Sequence, residues 1–243
     1  MKRNICIVIP CYRVRHKIYS VYQKIDFKLV DKVIVVDDYC PENSGKYLQK
    51  KIKNDIKKNK VEFIYLKKNL GVGGATLTGF KKAFKDKYKI LIKIDGDGQH
   101  ETKFIKKFSY YLTKNYDFCK GYRELTFKKA LEKKMPIKRY AGAKLLTLIS
   151  RFTCNSKNIK DVVHGLFGIK YSFFSKLKIN NIRQNYFFEQ DIIFNVLLNN
   201  GKIKHLKTDI IYGDEKSSLN PISTIVPFIY YHICNYIFRI KNK

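Results

Sequence analysis

Acidic residues are scarce in this chain: 20 Asp and Glu stand against 50 Lys and Arg, for a formal net charge of +30 over 243 residues. Such a balance suits anionic partners, whether nucleic acid, an anionic membrane surface or a phosphorylated substrate. The basic residues are spread along the whole chain instead of forming one block, and abundant Lys, Ile and Asn share A/T-rich codons. The charge therefore weighs more for an anionic surface than for nucleic acid, which is not expected among the partners. Long apolar runs are absent as well. No stretch reaches the roughly 18 uncharged apolar residues of a spanning helix. No signal-peptide core follows Met1-Lys2-Arg3-Asn4, so a cytoplasmic location is expected. The six cysteines (Cys6, Cys11, Cys40, Cys119, Cys154, Cys234) form no CxxC pair and no zinc-ligand spacing, and most lie in apolar surroundings suited to reduced, buried thiols. Internal repeats and dividing linkers are also missing, which leaves one main domain.

What is present is enough for a core: 45% of the residues are hydrophobic and 14% aromatic. Ile5 to Ile9, Val33 to Val36, Val61 to Leu66 and Ile90 to Ile94 are short apolar runs of the kind that make buried parallel strands. Helix-compatible segments separate them, at His16 to Ile25, Ser44 to Lys58 and Ala75 to Phe84. This alternation predicts right-handed βαβ units, an α/β fold with a mostly parallel central sheet and helices on both faces. The second half is less regular. Helices are expected over 104–112, 139–152 and 187–198, the last stopped by Asn199-Asn200-Gly201, with a strand near 116–120. Polar or acidic residues fall at the carboxyl ends of three of the first four strands, where open α/β sheets bind ligands.

Asp95-Gly96-Asp97-Gly98-Gln99-His100 follows the fourth strand directly. Two carboxylates one residue apart on a sharp turn can converge on a divalent cation, and Gln99 and His100 add two further possible ligands. Asp37-Asp38 ends the second strand and could accept hydrogen bonds from a base or ribose, or could equally cap the helix that follows. Asn69-Leu70-Gly71-Val72-Gly73-Gly74 opens a helix, where free backbone N–H groups would make an anion seat; by itself it reads as a structural loop. It matches neither the Walker nor the dinucleotide fingerprint.

Taken with Ile7-Val8-Ile9-Pro10-Cys11-Tyr12, these elements resemble, in order and spacing, family 2 glycosyltransferases, whose members have a GT-A fold. The form Asp-Gly-Asp-Gly-Gln-His is most similar to the branch acting on polyprenyl phosphates, the dolichol-phosphate mannose synthase-like enzymes. Gly121-Tyr122-Arg123, Asp161 to Phe167, Tyr186 to Asp191 and Tyr212 to Ser218 continue the resemblance over about residues 4–220. It implies a hexosyltransferase with a UDP- or GDP-sugar donor and a Mg or Mn cofactor. It implies nucleotide-sugar binding by Pro10, Tyr12, Asp37, Asp38, Asn69, Gly71, Gly74 and Asp95, with Lys216 and Ser217 near the diphosphate. Metal binding falls to Asp95, Asp97 and Gln99, and Arg123 is expected near a phosphate. Two departures stand out: Tyr39-Cys40-Pro41 where many relatives have Gly-Ser, and His164 where they carry a small or polar residue.

Inverting transfer to a sugar hydroxyl needs a carboxylate base, and Glu189 or Asp191 is the candidate; two positions apart on a helix, only one should face the cleft. An acceptor that is a lipid phosphate is already an anion, and Arg123 would then hold it. The acceptor is thus a polyprenyl phosphate or a lipid-linked or cell-surface glycan. Residues 221–243 form a separate amphipathic segment, with Ile222, Ile225, Val226, Ile229, Ile233 and Ile237 on one helical face beside tyrosines and a basic tail. That pattern suits either a helix lying on an anionic inner leaflet or one packed on the domain. A sugar nucleotidyltransferase is the alternative enzyme class, but Pro10-Cys11-Tyr12-Arg13 stands where its Gly-rich basic loop belongs. A basic nucleic-acid-binding protein leaves the acids at the strand ends without a purpose.

Overall fold

The computed structural model describes residues 4–209 and 221–242. The four apolar runs become β1 (Ile5–Cys11), β2 (Lys32–Asp37), β3 (Val61–Tyr65) and β4 (Ile90–Lys93). Between them lie α1 (Arg15–Gln23), α2 (Ser44–Lys51) and α3 (Gly71–Lys85). All three pairings among these strands are parallel, with β1 between β2 and β4. Every residue of β1 is buried, as a strand covered by helices on both faces requires. On one face Ile18, Leu48 and Phe108 pack against Ile7 and Ile9. On the other, Phe80, Phe174 and Phe188 pack against Val8 and Phe167.

The second half adds α4 (Phe104–Thr113), β5 (Phe118–Arg123), α5 (Phe127–Glu132), α6 (Ile137–Cys154), β6 (Phe167–Lys170), α7 (Tyr171–Phe174), α8 (Phe188–Leu198), β7 (Ile203–Thr208) and α9 (Pro221–Lys241). The seven strands run in the order β3-β2-β1-β4-β6-β5-β7. The sheet is mixed because β6 is antiparallel to both neighbours. Its amino end therefore lies beside the carboxyl ends of β4 and β5, which carries the preceding loop, Asp161 to Leu166, into the cleft. Neither β6 nor β7 was expected. Phe167-Gly168-Ile169-Lys170 is too short, and broken by glycine, to stand out as a strand.

One expected helix is shorter than its span. Instead of running to Lys58, α2 stops at Lys51, and a 3₁₀ turn follows at Ile56–Lys60. Asp55 is the cause: its Oδ1 accepts from Lys57 N at 2.8 Å, and its Oδ2 accepts from the Tyr22 hydroxyl at 2.8 Å. The carboxylate offers the backbone a local alternative to the helix.

Candidate active site

The site lies where β1, β2, β4 and β5 end, together with the loop before β6 and the first turn of α8. Lys93, the last residue of β4, is fully buried although it is a lysine. Its Nζ lies 2.7 Å from Asp95 Oδ1 and 2.8 Å from Glu189 Oε1. Burial alone would discharge this ammonium, but the two carboxylates together outweigh that and hold its pKa above the ordinary value. Reciprocally, burial would raise Asp95, and the Lys93 ammonium overcomes it and holds the carboxyl below its usual range.

Beside them, Asp97 Oδ1 accepts a hydrogen bond from Gln99 N at 2.9 Å, which closes the turn. Burial, and then the negative charge of Asp95, push the Asp97 carboxyl up to about 6. The two acids of the motif thus repel each other in a partly dry environment. His100 is tucked beneath the turn. Its Nδ1 accepts from Asp95 N at 3.0 Å, so Nε2 carries the proton, 3.5 Å from Asp95 Oδ2. The ring stacks on His164 with centroids 4.9 Å apart. His164 accepts from Leu166 N through Nδ1, and its Nε2 meets Thr208 Oγ1 at 3.0 Å. Burial lowers both imidazoles, His100 to about 4 and His164 well below its ordinary value. Both are neutral packing groups, so the unusual His164 is a strut between the loop and β7.

Arg123, at the end of β5, pairs bidentately with Asp161: Nε lies 2.7 Å from Oδ2 and the terminal nitrogen 3.0 Å from Oδ1. Three residues earlier, Lys120 is fully buried, and its Nζ has no hydrogen-bond partner among the described residues. Burial lowers its pKa to about 8. Lys93 and Lys120 both face Phe167 in the strand register, which places them on one face of the sheet. Neither lysine was singled out from sequence. The signal was there, since a lysine inside an otherwise apolar strand demands a buried partner.

Other expected residues are engaged differently. Asp37 Oδ1 accepts from Cys40 N and Oδ2 from Gly45 N, both at 2.8 Å, so this carboxylate holds the start of α2. Asp38 Oδ1 accepts from Leu70 N at 2.7 Å and ties β2 to the Gly-rich turn; burial raises its pKa. Asn69 donates to the Asp38 carbonyl and accepts from Gly71 N. Gly73 N and Gly74 N both donate to the Gln184 carbonyl, at 2.9 and 3.2 Å. The anion seat imagined at this turn is therefore occupied by the chain leading into α8. Pro10 lies within β1, while Tyr12 just beyond it is exposed, as is Tyr39 just beyond β2. The two loops are joined by Arg13 N donating to Cys40 Sγ at 3.1 Å. Asp191 does not join Glu189 in the cleft. Its carboxylate accepts from Arg183 N, Arg183 Nη1 and Asn235 Nδ2, all at 2.8 Å, and so fastens α8 to α9. Lys216 and Ser217 lie outside the described residues.

The model of glycosyl transferase family 2 matches residues 6–178. The chain belongs to glycosyl transferase family 2. Among its relatives, a UDP-N-acetylglucosamine–dolichyl-phosphate N-acetylglucosaminyltransferase from Methanococcus voltae is 32% identical over 42% of this chain and 45% of its own length, so the match spans less than half of that enzyme. A polyprenol monophosphomannose synthase from Mycolicibacterium smegmatis is 22% identical over 80% of this chain and 72% of its own. Among solved structures, glucosyl-3-phosphoglycerate synthase from Mycobacterium tuberculosis superposes over 98% of this chain and 80% of its own, with a TM-score of 0.67 at 14% identity. At that identity the likeness establishes the fold, which is GT-A. This glycosyltransferase therefore has the expected architecture, and its family sets aside the nucleotidyltransferase and nucleic-acid alternatives.

Proposed function

We propose that this glycosyltransferase transfers a hexosyl group, with inversion, from a UDP- or GDP-sugar to a polyprenyl phosphate at a membrane surface. The observation that carries the choice of acceptor is the state of the two α8 carboxylates. Glu189 is held by Lys93 and Asp191 by Arg183, both in buried ion pairs. A neutral sugar hydroxyl would need one of them as a base, whereas a phosphate arrives as an anion and needs none. Arg123, oriented by Asp161, is the group to hold that phosphate. The relatives that are a dolichyl-phosphate N-acetylglucosaminyltransferase and a polyprenol monophosphomannose synthase agree with this reading.

The donor fits the other side of the cleft. Tyr12 and Tyr39 are exposed aromatic residues on which a base would stack, next to strand ends held by Asp37 and Asp38. The turn at Asp95 and Asp97 fits a divalent ion, since two carboxylates that repel one another gain from a cation between them. Among the described residues no three His, Cys, Asp or Glu side chains group around an ion. Mg²⁺ and Mn²⁺ are commonly held by one or two carboxylates plus substrate phosphates. The similar M. tuberculosis enzyme was crystallised with Mn²⁺ and UDP-glucose. When bound, the ion would supply Lewis-acid stabilisation to the departing diphosphate.

The surface supports membrane docking. One face of α9 packs on the domain: Phe228 meets Phe187, and His232 lies 2.9 Å from Gln190 Oε1 and 3.1 Å from Thr153 Oγ1. The opposite face exposes Ile229, Tyr230 and Ile233, and neighbouring α6 exposes Leu145, Leu148 and Phe152. The two helices pack on each other, and α6 also carries the exposed basic residues Lys138, Lys144 and Arg151. No helix among the described residues is long and apolar enough to cross a membrane; the reading is a protein lying on the inner leaflet. The test is transfer of labelled sugar from UDP- and GDP-sugars to polyprenyl phosphate in anionic vesicles, beside a panel of soluble glycans. Labelled lipid that requires Mn²⁺ or Mg²⁺ is expected. Transfer to neutral glycans with the lipid phosphate left inert would overturn the acceptor assignment.

A further inference from the structure

We infer that Lys93 is a built-in counter-cation of the Asp95–Asp97 turn, and that Glu189 is the positioning residue that shares it. The inference rests on the donor-site reading above and adds a property to it: the free protein holds a divalent ion weakly and takes it up together with a nucleoside diphosphate.

The geometry is that of a three-membered ionic bridge. One ammonium lies between two carboxylates, 2.7 Å from Asp95 Oδ1 and 2.8 Å from Glu189 Oε1. Lys93 is the last residue of a buried strand and Glu189 belongs to the first turn of α8, so the bridge ties the metal turn to a separate element. Solvent is excluded from the lysine altogether. Gly165 closes over it so tightly that a Cβ there would lie 2.9 Å from Lys93 Nζ and would collide with Asp95 Oδ2. Other charges face the bridge. Lys120 on β5 lies within electrostatic range of both Glu189 and Asp95, and Asp97 stands on the same turn as Asp95. One Asp95 oxygen is thus committed to a permanent cation. A divalent ion entering at the turn meets the attraction of Asp95 and Asp97 together with the repulsion of Lys93. A diphosphate supplies the missing negative charge, so ion and nucleotide bind as a unit. Glu189 draws Lys93 partly away from Asp95 and so sets how much of the Asp95 charge the ion sees.

Removing the lysine would leave Asp95, Asp97 and Glu189 as three carboxylates around the space it held. Removing the Glu189 charge would give Lys93 wholly to Asp95. The two substitutions should therefore move metal affinity in opposite directions, whereas a merely structural role would weaken binding in both. The experiment is a Mn²⁺ titration followed by electron paramagnetic resonance, with and without UDP or GDP, on the wild type and on Lys93→Met, Glu189→Gln and the charge-balanced double variant. For the wild type, weak Mn²⁺ binding that tightens at least about tenfold with a nucleotide is expected. Lys93→Met should bind Mn²⁺ alone about tenfold more tightly, Glu189→Gln more weakly than wild type, and the double variant close to wild type. If Lys93→Met does not fold, Glu189→Gln still decides: Mn²⁺ binding as tight as wild type, or tighter, overturns the proposal. Weakening in both single variants overturns it too, and leaves the donor site standing. A wild type that shows no nucleotide-coupled Mn²⁺ binding removes both readings together.

Discussion

Two pairs of acids stand at the carboxyl ends of two strands of one sheet, β2 and β4 with β1 between them, and their surroundings differ. Asp37 and Asp38 are buried, and their oxygens accept hydrogen bonds from backbone N–H groups of Cys40, Gly45 and Leu70. Asp95 pairs with Lys93 and lies beside His100, whereas Asp97 lies within electrostatic range of Asp95 and accepts a hydrogen bond from the backbone of its own turn. The first pair satisfies orphan donors at the starts of α2 and α3, which is a stability device. The second concentrates charge that its own neighbours do not fully compensate, and we propose it as the binding device. Position at a strand end does not distinguish them; what fills the lone pairs does.

The sharpest way to break this comparison is to remove one acid from each pair. Asp97→Asn should lower kcat/KM by about a thousandfold or more, because the diphosphate loses its electrostatic partner. Its melting temperature at neutral pH should hold or rise, since the Asn removes a carboxylate whose charged form is disfavoured in the fold. Asp37→Ala should do the reverse. Losing two buried charge-assisted bonds costs about 3 kcal/mol, a fall of roughly 10 °C for a domain of this size, with activity surviving at low temperature. Differential scanning calorimetry beside initial rates separates the two outcomes.

A middling effect is expected from pH. Burial depresses His100, His205 and His232 to about 4, from an ordinary value of 6.5. Between those values the unfolded chain binds more protons than the folded one, so stability is full above about 6.5 and falls as pH drops toward 4. The melting temperature should decline by several degrees across that window. A flat profile would mean that these rings are not held neutral. The smallest stability effect belongs to the outer face. Ile229→Asp with Ile233→Asp, both exposed, should change stability by less than about 0.5 kcal/mol per site. Co-sedimentation with anionic vesicles should nevertheless be lost, and retained binding would remove α9 from the membrane account.

Much of this could be read from residue order. Continuous apolar runs gave β1 to β4, and their acidic ends located the cleft. The mixed half was less legible because its pairing is non-local: β6 is four residues long and inserts between strands that lie far from it in sequence. Within the candidate site, the Asp-Gly-Asp turn stood out because it follows a buried strand and precedes Gln99-His100, although an Asp-Gly turn by itself is common at surfaces. The Gly-rich turn, which by itself reads as a structural loop, has that role in the fold: Gly73 N and Gly74 N donate to the Gln184 carbonyl, and a Cβ at Gly73 would lie 2.6 Å from that oxygen. Lys93 went unread because composition counts a lysine as surface, and only the partners at 2.7 and 2.8 Å explain why it is inside.

The central claim is that the Asp95–Asp97 turn, and not the Asp37–Asp38 pair, binds the donor diphosphate through a divalent ion. Calorimetric titration of UDP and GDP into the wild type, Asp97→Asn and Asp38→Asn, each with and without Mn²⁺, tests it most directly. The account predicts Mn²⁺-dependent binding of one nucleotide in the wild type, abolished by Asp97→Asn and largely kept by Asp38→Asn below its melting temperature. Metal-independent binding of equal strength, or binding that survives Asp97→Asn and is lost with Asp38→Asn, would contradict it.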